Sequence, residues 1–566
     1  MSADSTSKLT TDHRTIERAV DQLRDKAREF ARLHPATKAL LLRKCISGLV
    51  REAPGWVAEG ARARGASQAE EWLAGPIVTV RLFRLMAESL ERISADGCPS
   101  LGRATRVRDD GRSEIALFPA SSLDRVSFAG FSGTALMDAH VSLEDARARQ
   151  AAFYQQQRPE GGLSLILGAG NVSSIPPMDV ATKMFVDGRV CLLKMNPVND
   201  WVGPFLERAL APLISRNYLR IVYGGAEVGA NLVYHSQVDE VHLTGSAQTH
   251  DLIVWGAPGE KSQRRLAAND PVLKTPITSE LGNVSPIAIV PADYSDNELQ
   301  FMCRNIVTMV VNNASFNCNA AKMIVTAAGW PQRGRFLDMI GSTLAHAPTR
   351  RAYYPGASER WQALLANHDD AERIGDVGDD TLPWVLIRDL DSGAPDEPLF
   401  SIEPFCGIIS ETSVGSTDAV EFLEAATAFM NGCLWGTLNS MILIPPLLEA
   451  DPIVAAALDR AVVELRYGTV AINHWPALGY GFGCMPWGGH QSSTLDNIQS
   501  GLGWVHNTFM LDGIDKSVIR GPLTVKPYPA WFFDNQKTAN MAPHLLRMEA
   551  RPSWLKLPGL LKRVLL

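Results

Sequence analysis

The 566-residue chain is short of several signatures that would assign it quickly. Its eight cysteines, at 45, 98, 191, 303, 318, 406, 433 and 484, never fall in C-x-x-C spacing, which argues against a zinc site and a disulfide framework and leaves no metal to predict. Thiols in a reducing, cytoplasmic compartment fit that scatter. No apolar run is long enough to span a bilayer, and the start M-S-A-D-S-T-S-K-L-T-T-D has no apolar core of the signal-peptide kind. There is no basic arm, and the net charge of −7 gives no electrostatic reason to expect nucleic acid. Apolar residues at 46% and charged ones at 20% describe an ordinary globular chain, and its length calls for two or three domains.

Helical spacing of Ile16, Val20, Leu23 and Phe30, and an apolar stripe of Leu40, Leu41, Leu42, Cys45, Ile46 and Leu49, predict a helical region over residues 1–104 that serves as scaffold. Between Thr105 and Phe131, two strand-like runs separated by Pro119 predict a hairpin or an extended arm. A helix is predicted from Leu143 to Gln157. Strand-like runs then recur at Leu163–Leu167, Val190–Lys194, Leu219–Tyr223 and Glu240–Leu243 at the spacing of βα units, predicting a parallel sheet with crossover helices. Each run ends in small or polar residues, and in an open α/β sheet the ligand crevice lies at such carboxyl ends. Glycines there let phosphate approach a helix N-terminus.

The stretch Glu280–Thr326 sets a carboxylate before one apolar run and a lone thiol, Cys318, in a loop crowded with Asn312, Asn313, Ser315, Asn317 and Asn319. Cys318 lies 38 residues after Glu280. A thiol in a polar loop can be reached by substrate, and a carboxylate facing it can act as base. With E-L-G at 280–282, Asn171, Lys194 in K-M-N-P, G-A-E-V-G at 225–229, L-T-G-S at 243–246, Glu403-Pro404-Phe405 and P-W-G-G at 486–489, the chain resembles the aldehyde dehydrogenase superfamily over roughly residues 105–500.

That resemblance implies an α/β fold of two open domains with mainly parallel sheets, a Rossmann-like cofactor domain and a catalytic domain, with an arm that joins subunits into a homodimer or homotetramer. The expected boundaries are 105–279 for the cofactor domain with its arm, 280–475 for the catalytic domain, and 476–566 for a return segment and C-terminal extension. It implies Cys318 as nucleophile, Glu280 as base and Asn171 as oxyanion donor. Lys194, Gly225, Gly245, Ser246, Glu403 and Phe405 would bind NAD or NADP. Pro197 stands where NAD-preferring members carry a ribose-binding Glu, so the choice between the two is open. His250, Cys406-Gly407 and Val172-Ser173 also depart from the pattern. The implied reaction is NAD(P)-dependent oxidation of an aldehyde to an acid through a Cys318 thioester. Acyl transfer to CoA or a carrier is the alternative, and a non-catalytic scaffold a third reading.

Trp475, Leu478, Tyr480 and Phe482 crowd the expected substrate side and point to an apolar aldehyde, although the same residues read as core. The tail from Pro552 to Leu566 alternates leucines with Lys556, Lys562 and Arg563. Two readings stand open for it: a segment packed over a subunit or the substrate entrance, and a peripheral anchor on anionic lipid.

Overall fold

The computed structural model describes residues 9–102, 104–376, 378–394 and 396–565. Two sheets organise it. The first is five-stranded and wholly parallel, with spatial order Leu219–Val222, Val190–Lys194, Leu163–Leu167, Glu240–Gly245, Ile277–Leu281. The chain starts in the middle, builds to one side and then reverses, so a crevice opens at the carboxyl ends of Leu163–Leu167 and Glu240–Gly245. Glu280 belongs to the last strand of this sheet, and the next strand, Pro286–Ile289, lies in the second one.

The N-terminal helices do not form a core of their own. Ile16, Val20, Leu23, Phe30, Leu41, Leu42, Cys45, Ile46 and Leu49 are buried in one apolar cluster with Leu163, Leu165, Val190 and Leu192 of the first sheet. Leu40 departs from the predicted stripe: it is exposed, because it falls on the outer side of Pro35–Arg64, next to but not on the buried face. Gly48 lets that helix touch the backbone of Ala209, where an added Cβ would meet a carbonyl oxygen at 2.4 Å. The helix stops at Gly65, whose φ of +62° suits glycine.

The second sheet has eleven strands. Its parallel centre, Asn439–Leu443, Pro286–Ile289, Met323–Thr326 and Ile408–Ser413, carries the larger apolar core. On one side Thr469–Ile472 and Ile514–Arg520 continue it in parallel, followed by Ser132–Met137 and Ser113–Phe118 antiparallel. The arm expected to reach another subunit therefore pairs with a strand of its own chain. The second of its predicted runs is also different: residues after Pro119 form the short helix Ser122–Ser127, because the Ser121 hydroxyl accepts from the Asp124 N–H at 3.1 Å as an N-cap. Ser132–Met137 supplies the partner strand instead. The helix predicted from Leu143 to Gln157 breaks into Leu143–Arg149 and the 3₁₀ turn Ala152–Gln155, with Ala151 left-handed between them.

Beyond the large sheet, the helix Thr538–Ala550 lies against Val78–Asp96, tied by Glu549 to Arg81 at 2.9 Å and to Arg84 at 2.9 Å. Leu557 is buried with Met541 and Met548, whereas Trp554 is 52% and Leu555 93% exposed. Of the other tail positions singled out in the sequence, Leu566 and the side chains of Leu560, Leu561, Val564 and Leu565 lie outside the described residues. Among the described residues no helix is long and apolar enough to cross a membrane.

Candidate active site

Cys318 sits on the loop between the helix Asp296–Val311 and the strand Met323–Thr326. Three consecutive non-glycine residues before it are left-handed, Asn313 at φ +52°, Ala314 at +54° and Ser315 at +68°. Such residues cost roughly 1–3 kcal/mol each and persist where the surroundings over-determine them. Here the Asn313 amide donates to the carbonyls of Asn171 at 3.0 Å and Phe316 at 3.2 Å and to Asn317 Oδ1 at 3.1 Å, while Asn317 donates to Asn312 Oδ1 at 2.9 Å. The asparagines thus hold the loop. The Cys318 carbonyl is fixed by Lys322 Nζ at 3.2 Å and Ser285 Oγ at 3.3 Å.

Glu280 is buried opposite the thiol. Its carboxylate accepts from Trp487 Nε1 at 3.3 Å, and both Glu280 and Cys318 line one cavity. Burial pushes Glu280 up to about 8, and the negative charge of Asp179 works in the same direction. Burial, and then the neighbouring Glu280, raises the Cys318 thiol well above its ordinary range. At neutral pH the pair keeps its protons, and the carboxylate becomes an effective base as pH approaches 8.

Asn171 follows the first strand, Leu163–Leu167. Its carbonyl accepts from Arg64 Nη1 at 2.7 Å, Asn313 Nδ2 at 3.0 Å and Tyr353 Oη at 3.1 Å, and its own Nδ2 donates to the Phe316 carbonyl at 2.9 Å. One N–H of the amide is left for another acceptor.

Two cavities meet at Cys318, which lines both. The first, about 940 Å³, opens at the carboxyl ends of the five-stranded sheet and holds Asn171, Lys194, Gly245, Ser246, Glu280, Glu403 and Phe405 of the predicted site. Gly225 lies just beyond that lining, at the N-cap of Ala226–Val233, and an added Cβ there would meet nothing within 4 Å. At Gly229 the nearest atom would be Lys194 Cε at 4.0 Å, so the backbone of this turn stays open to a phosphate-sized group. Burial lowers the Lys194 ammonium to about 8, and among the described residues no carboxylate pairs with it. The Ser246 hydroxyl is engaged as the N-cap of Ala247–Trp255, accepting from Thr249 N–H at 3.2 Å, so the backbone of this turn rather than that hydroxyl faces a ligand.

Glu403 accepts from Lys322 Nζ at 2.7 Å and lies over Gly282, where a Cβ would come within 1.9 Å of its carboxylate. The glycine of E-L-G leaves room for that approach; a side chain there would displace the Glu403 carboxylate. Phe405, at φ +44°, packs 5.0 Å from Tyr354 and 5.8 Å from Phe316. Arg360 also lines this cavity and donates to the carbonyl of Pro404 at 3.3 Å. Sequence reasoning missed Lys322, Tyr353, Tyr354 and Arg360. A lysine opening the apolar run after Cys318 was a usable signal for the first; the others lie in a stretch without a matching motif. Among the described residues no cluster of His, Cys, Asp or Glu is placed to hold a metal.

The second cavity, about 640 Å³, is mainly apolar and has walls from Leu73, Ile77, Phe128, Leu478, Phe482 and Trp531, supplied by four separate parts of the chain. Trp475 and Tyr480 line it as well. These residues are partly core too: Trp475 donates to the Asn319 carbonyl at 2.8 Å, and Phe482 stacks on Phe118 at 3.7 Å.

No family model matches the chain, and no curated protein matches it by sequence. Solved structures do. A salicylaldehyde dehydrogenase from Pseudomonas putida, complexed with salicylaldehyde, is 14% identical, with a TM-score of 0.61 over 94% of this chain and 96% of that one. The NADP-dependent glyceraldehyde-3-phosphate dehydrogenase of Bacillus halodurans, complexed with NADP, gives 15% and 0.61 over 90% and 92%. An aldehyde dehydrogenase C variant of Pseudomonas syringae, complexed with NAD+ and octanal, gives 13% and 0.60 over 92% and 91%. In its two α/β domains and the crevice between them, the chain has the fold of the aldehyde dehydrogenases.

Proposed function

We propose that this chain is an NAD(P)-dependent aldehyde dehydrogenase that oxidises apolar aldehydes to carboxylic acids. The observation that carries the reading is the Cys318 thiol facing the buried Glu280 carboxyl at the meeting point of two cavities, the second of them mainly apolar. Glu280 takes the thiol proton as the sulfur attacks the aldehyde carbon. The remaining Asn171 amide N–H and the Cys318 backbone N–H donate to the oxyanion of the thiohemiacetal. A nicotinamide dinucleotide in the first cavity supplies the hydride acceptor for this oxidation. The open turn at Gly225, the turn at Gly245, and Lys194, with no carboxylate partner among the described residues, would hold its phosphates and ribose, and Glu403 and Phe405 its far end. Glu280 then releases the thiol proton to solvent and takes a proton from the water that attacks the thioester; the adduct expels the Cys318 thiolate, which recovers that proton from Glu280, and the acid leaves.

Glu280 beside Cys318 favours hydrolysis over transfer to CoA or a carrier, because it can activate water there, whereas Glu403 in the same cavity is held by Lys322 at 2.7 Å. The mainly apolar lining of the second cavity favours longer or aromatic aldehydes. Cytoplasmic placement and assembly into a homodimer or homotetramer belong to the same proposal on the family likeness alone; a monomeric mass in solution would remove the latter. The test of the reaction is stoichiometric labelling of Cys318 by an aldehyde-derived acyl group in the presence of NAD or NADP. Turnover that survives Cys318→Ser would overturn it.

A further inference from the structure

The N-terminal helices reach the active site through three charged residues. Arg64, the last residue of Pro35–Arg64, is 6% exposed and donates through Nη1 to the Asn171 carbonyl at 2.7 Å. Its other terminal nitrogen pairs with Glu71, which is 2% exposed. Glu71 in turn accepts from Trp56 Nε1 at 2.9 Å and from the hydroxyl of Ser173, two residues after Asn171. The adjacent Glu70 faces the other way: it accepts from the backbone N–H of Asn313 at 3.3 Å, in the left-handed run before Cys318, and pairs with Arg350. Neighbouring carboxylates on one short helix, Gln68–Trp72, therefore hold loops that belong to different sheets.

We propose that Arg64, Glu70 and Glu71 are positioning residues that clamp the Asn171 loop and the Cys318 loop into one register, so that the N-terminal helices are part of the catalytic apparatus rather than a cover. Asn171 can serve an oxyanion formed at Cys318 only if both loops keep their distance. The Asn171 carbonyl, gripped by Arg64, Asn313 and Tyr353 together, is where that distance is set. A misplacement of about 1 Å between reacting groups costs about a hundredfold in rate. Arginine suits the position because its planar fork serves a carboxylate and a carbonyl at once, which one ammonium cannot do in the same geometry.

The proposal rests on the aldehyde-oxidation reading, and the experiment separates the two. Arg64→Met, Arg64→Lys and Glu70→Gln are compared with the parent protein, with kcat normalised to titratable Cys318 thiol and with backbone hydrogen exchange followed over residues 311–320. Arg64→Met should lower kcat about a hundredfold with the aldehyde KM changed less than threefold. Arg64→Lys should restore about a tenth of the parent rate. Glu70→Gln should speed exchange at 311–320 at least tenfold. A normalised kcat for Arg64→Lys within twofold of the parent overturns the clamp, and this variant decides the matter if Arg64→Met does not fold. If the parent itself oxidises no aldehyde, the functional reading fails; exchange in Glu70→Gln then decides the clamp alone, faster exchange supporting it and unchanged exchange overturning it.

Discussion

Glu280 belongs to the last strand of the five-stranded sheet and Cys318 to a loop leading into the eleven-stranded one, yet both line one cavity, and both lie where burial disfavours charge. The pair is consequently silent until something removes a proton. Because burial lifts Glu280 to about 8, its base form accumulates as pH rises through that value. We expect kcat/KM to climb from pH 6 and level off above about 8, and Glu280→Gln to abolish that rise and slow thioester hydrolysis more than hydride transfer. Pre-steady-state bursts measured across pH would check this, and a pH-independent rate in the parent would contradict it.

The same group sets a stability trend of the opposite sign to a salt-bridged carboxylate. A folded-state value above the ordinary 4.5 means that the folded protein binds the proton more tightly than the unfolded chain. This contribution is fully present below about pH 4.5 and is lost as pH rises towards 8. Glu280→Gln should therefore gain stability relative to the parent between pH 6 and 9, read as a rising difference in denaturant midpoint.

Lys322 and Glu403 form an ion pair beneath the nucleophile loop, the lysine buried and the carboxylate mostly so. Removing one partner strands the other, at a cost of about 3 kcal/mol. Lys322→Met should lose that much in urea denaturation and also loosen the Cys318 carbonyl that the ammonium holds. A loss under about 1 kcal/mol would mean the pair is solvated rather than structural.

With Lys194 unpaired and Pro197 in place of an acidic ribose ligand, discrimination between the nucleotides should be weak. Titration with NAD and NADP should give affinities within about a thousandfold, or roughly 4 kcal/mol. A larger preference for NAD would require a carboxylate in the cavity that reaches the ribose.

The tail offers a further measurement. Leu557 buries its side chain against Met541 and Met548, and Pro552 lines the apolar cavity. Deleting residues 552–566 should cost about 2 kcal/mol of stability, the value of one buried leucine, and alter the preference among long aldehydes. The exposed Trp554 and Leu555 make co-sedimentation with anionic liposomes the companion test. Pelleting of the intact protein, with a truncated form that stays folded and fully active, would instead assign the tail to lipid.

The sequence made the sheets legible where strands were continuous apolar runs with polar ends, as at Leu163–Leu167 and Val190–Lys194, since a strand buried on both faces leaves that trace. Asn171, Glu280 and Cys318 were nameable because each stands in a recognisable local pattern, and the structure brings them to one place. Arg64 was not, because what defines it is a partner 107 residues away, and periodicity reveals a buried face without revealing what it meets. Ser121 shows the same limit at short range: a serine opening an apolar run reads as a strand start, and its N-cap bond decides for helix.

The arm that closes onto its own chain has a consequence for biosynthesis. Gly133 is in register with Ile519, so the hairpin Ser113–Met137 waits for some 380 further residues before its outer strand finds a partner. At roughly 5–20 residues per second, that interval is roughly 20–80 seconds. Through it, Ile115, Leu117 and Ala135, all destined for the core, face solvent on a strand pair with an open edge. The strand that completes this pairing, Ile514–Arg520, is the last strand of the sheet in chain order, and a chain halted before residue 514 keeps an unpaired apolar edge.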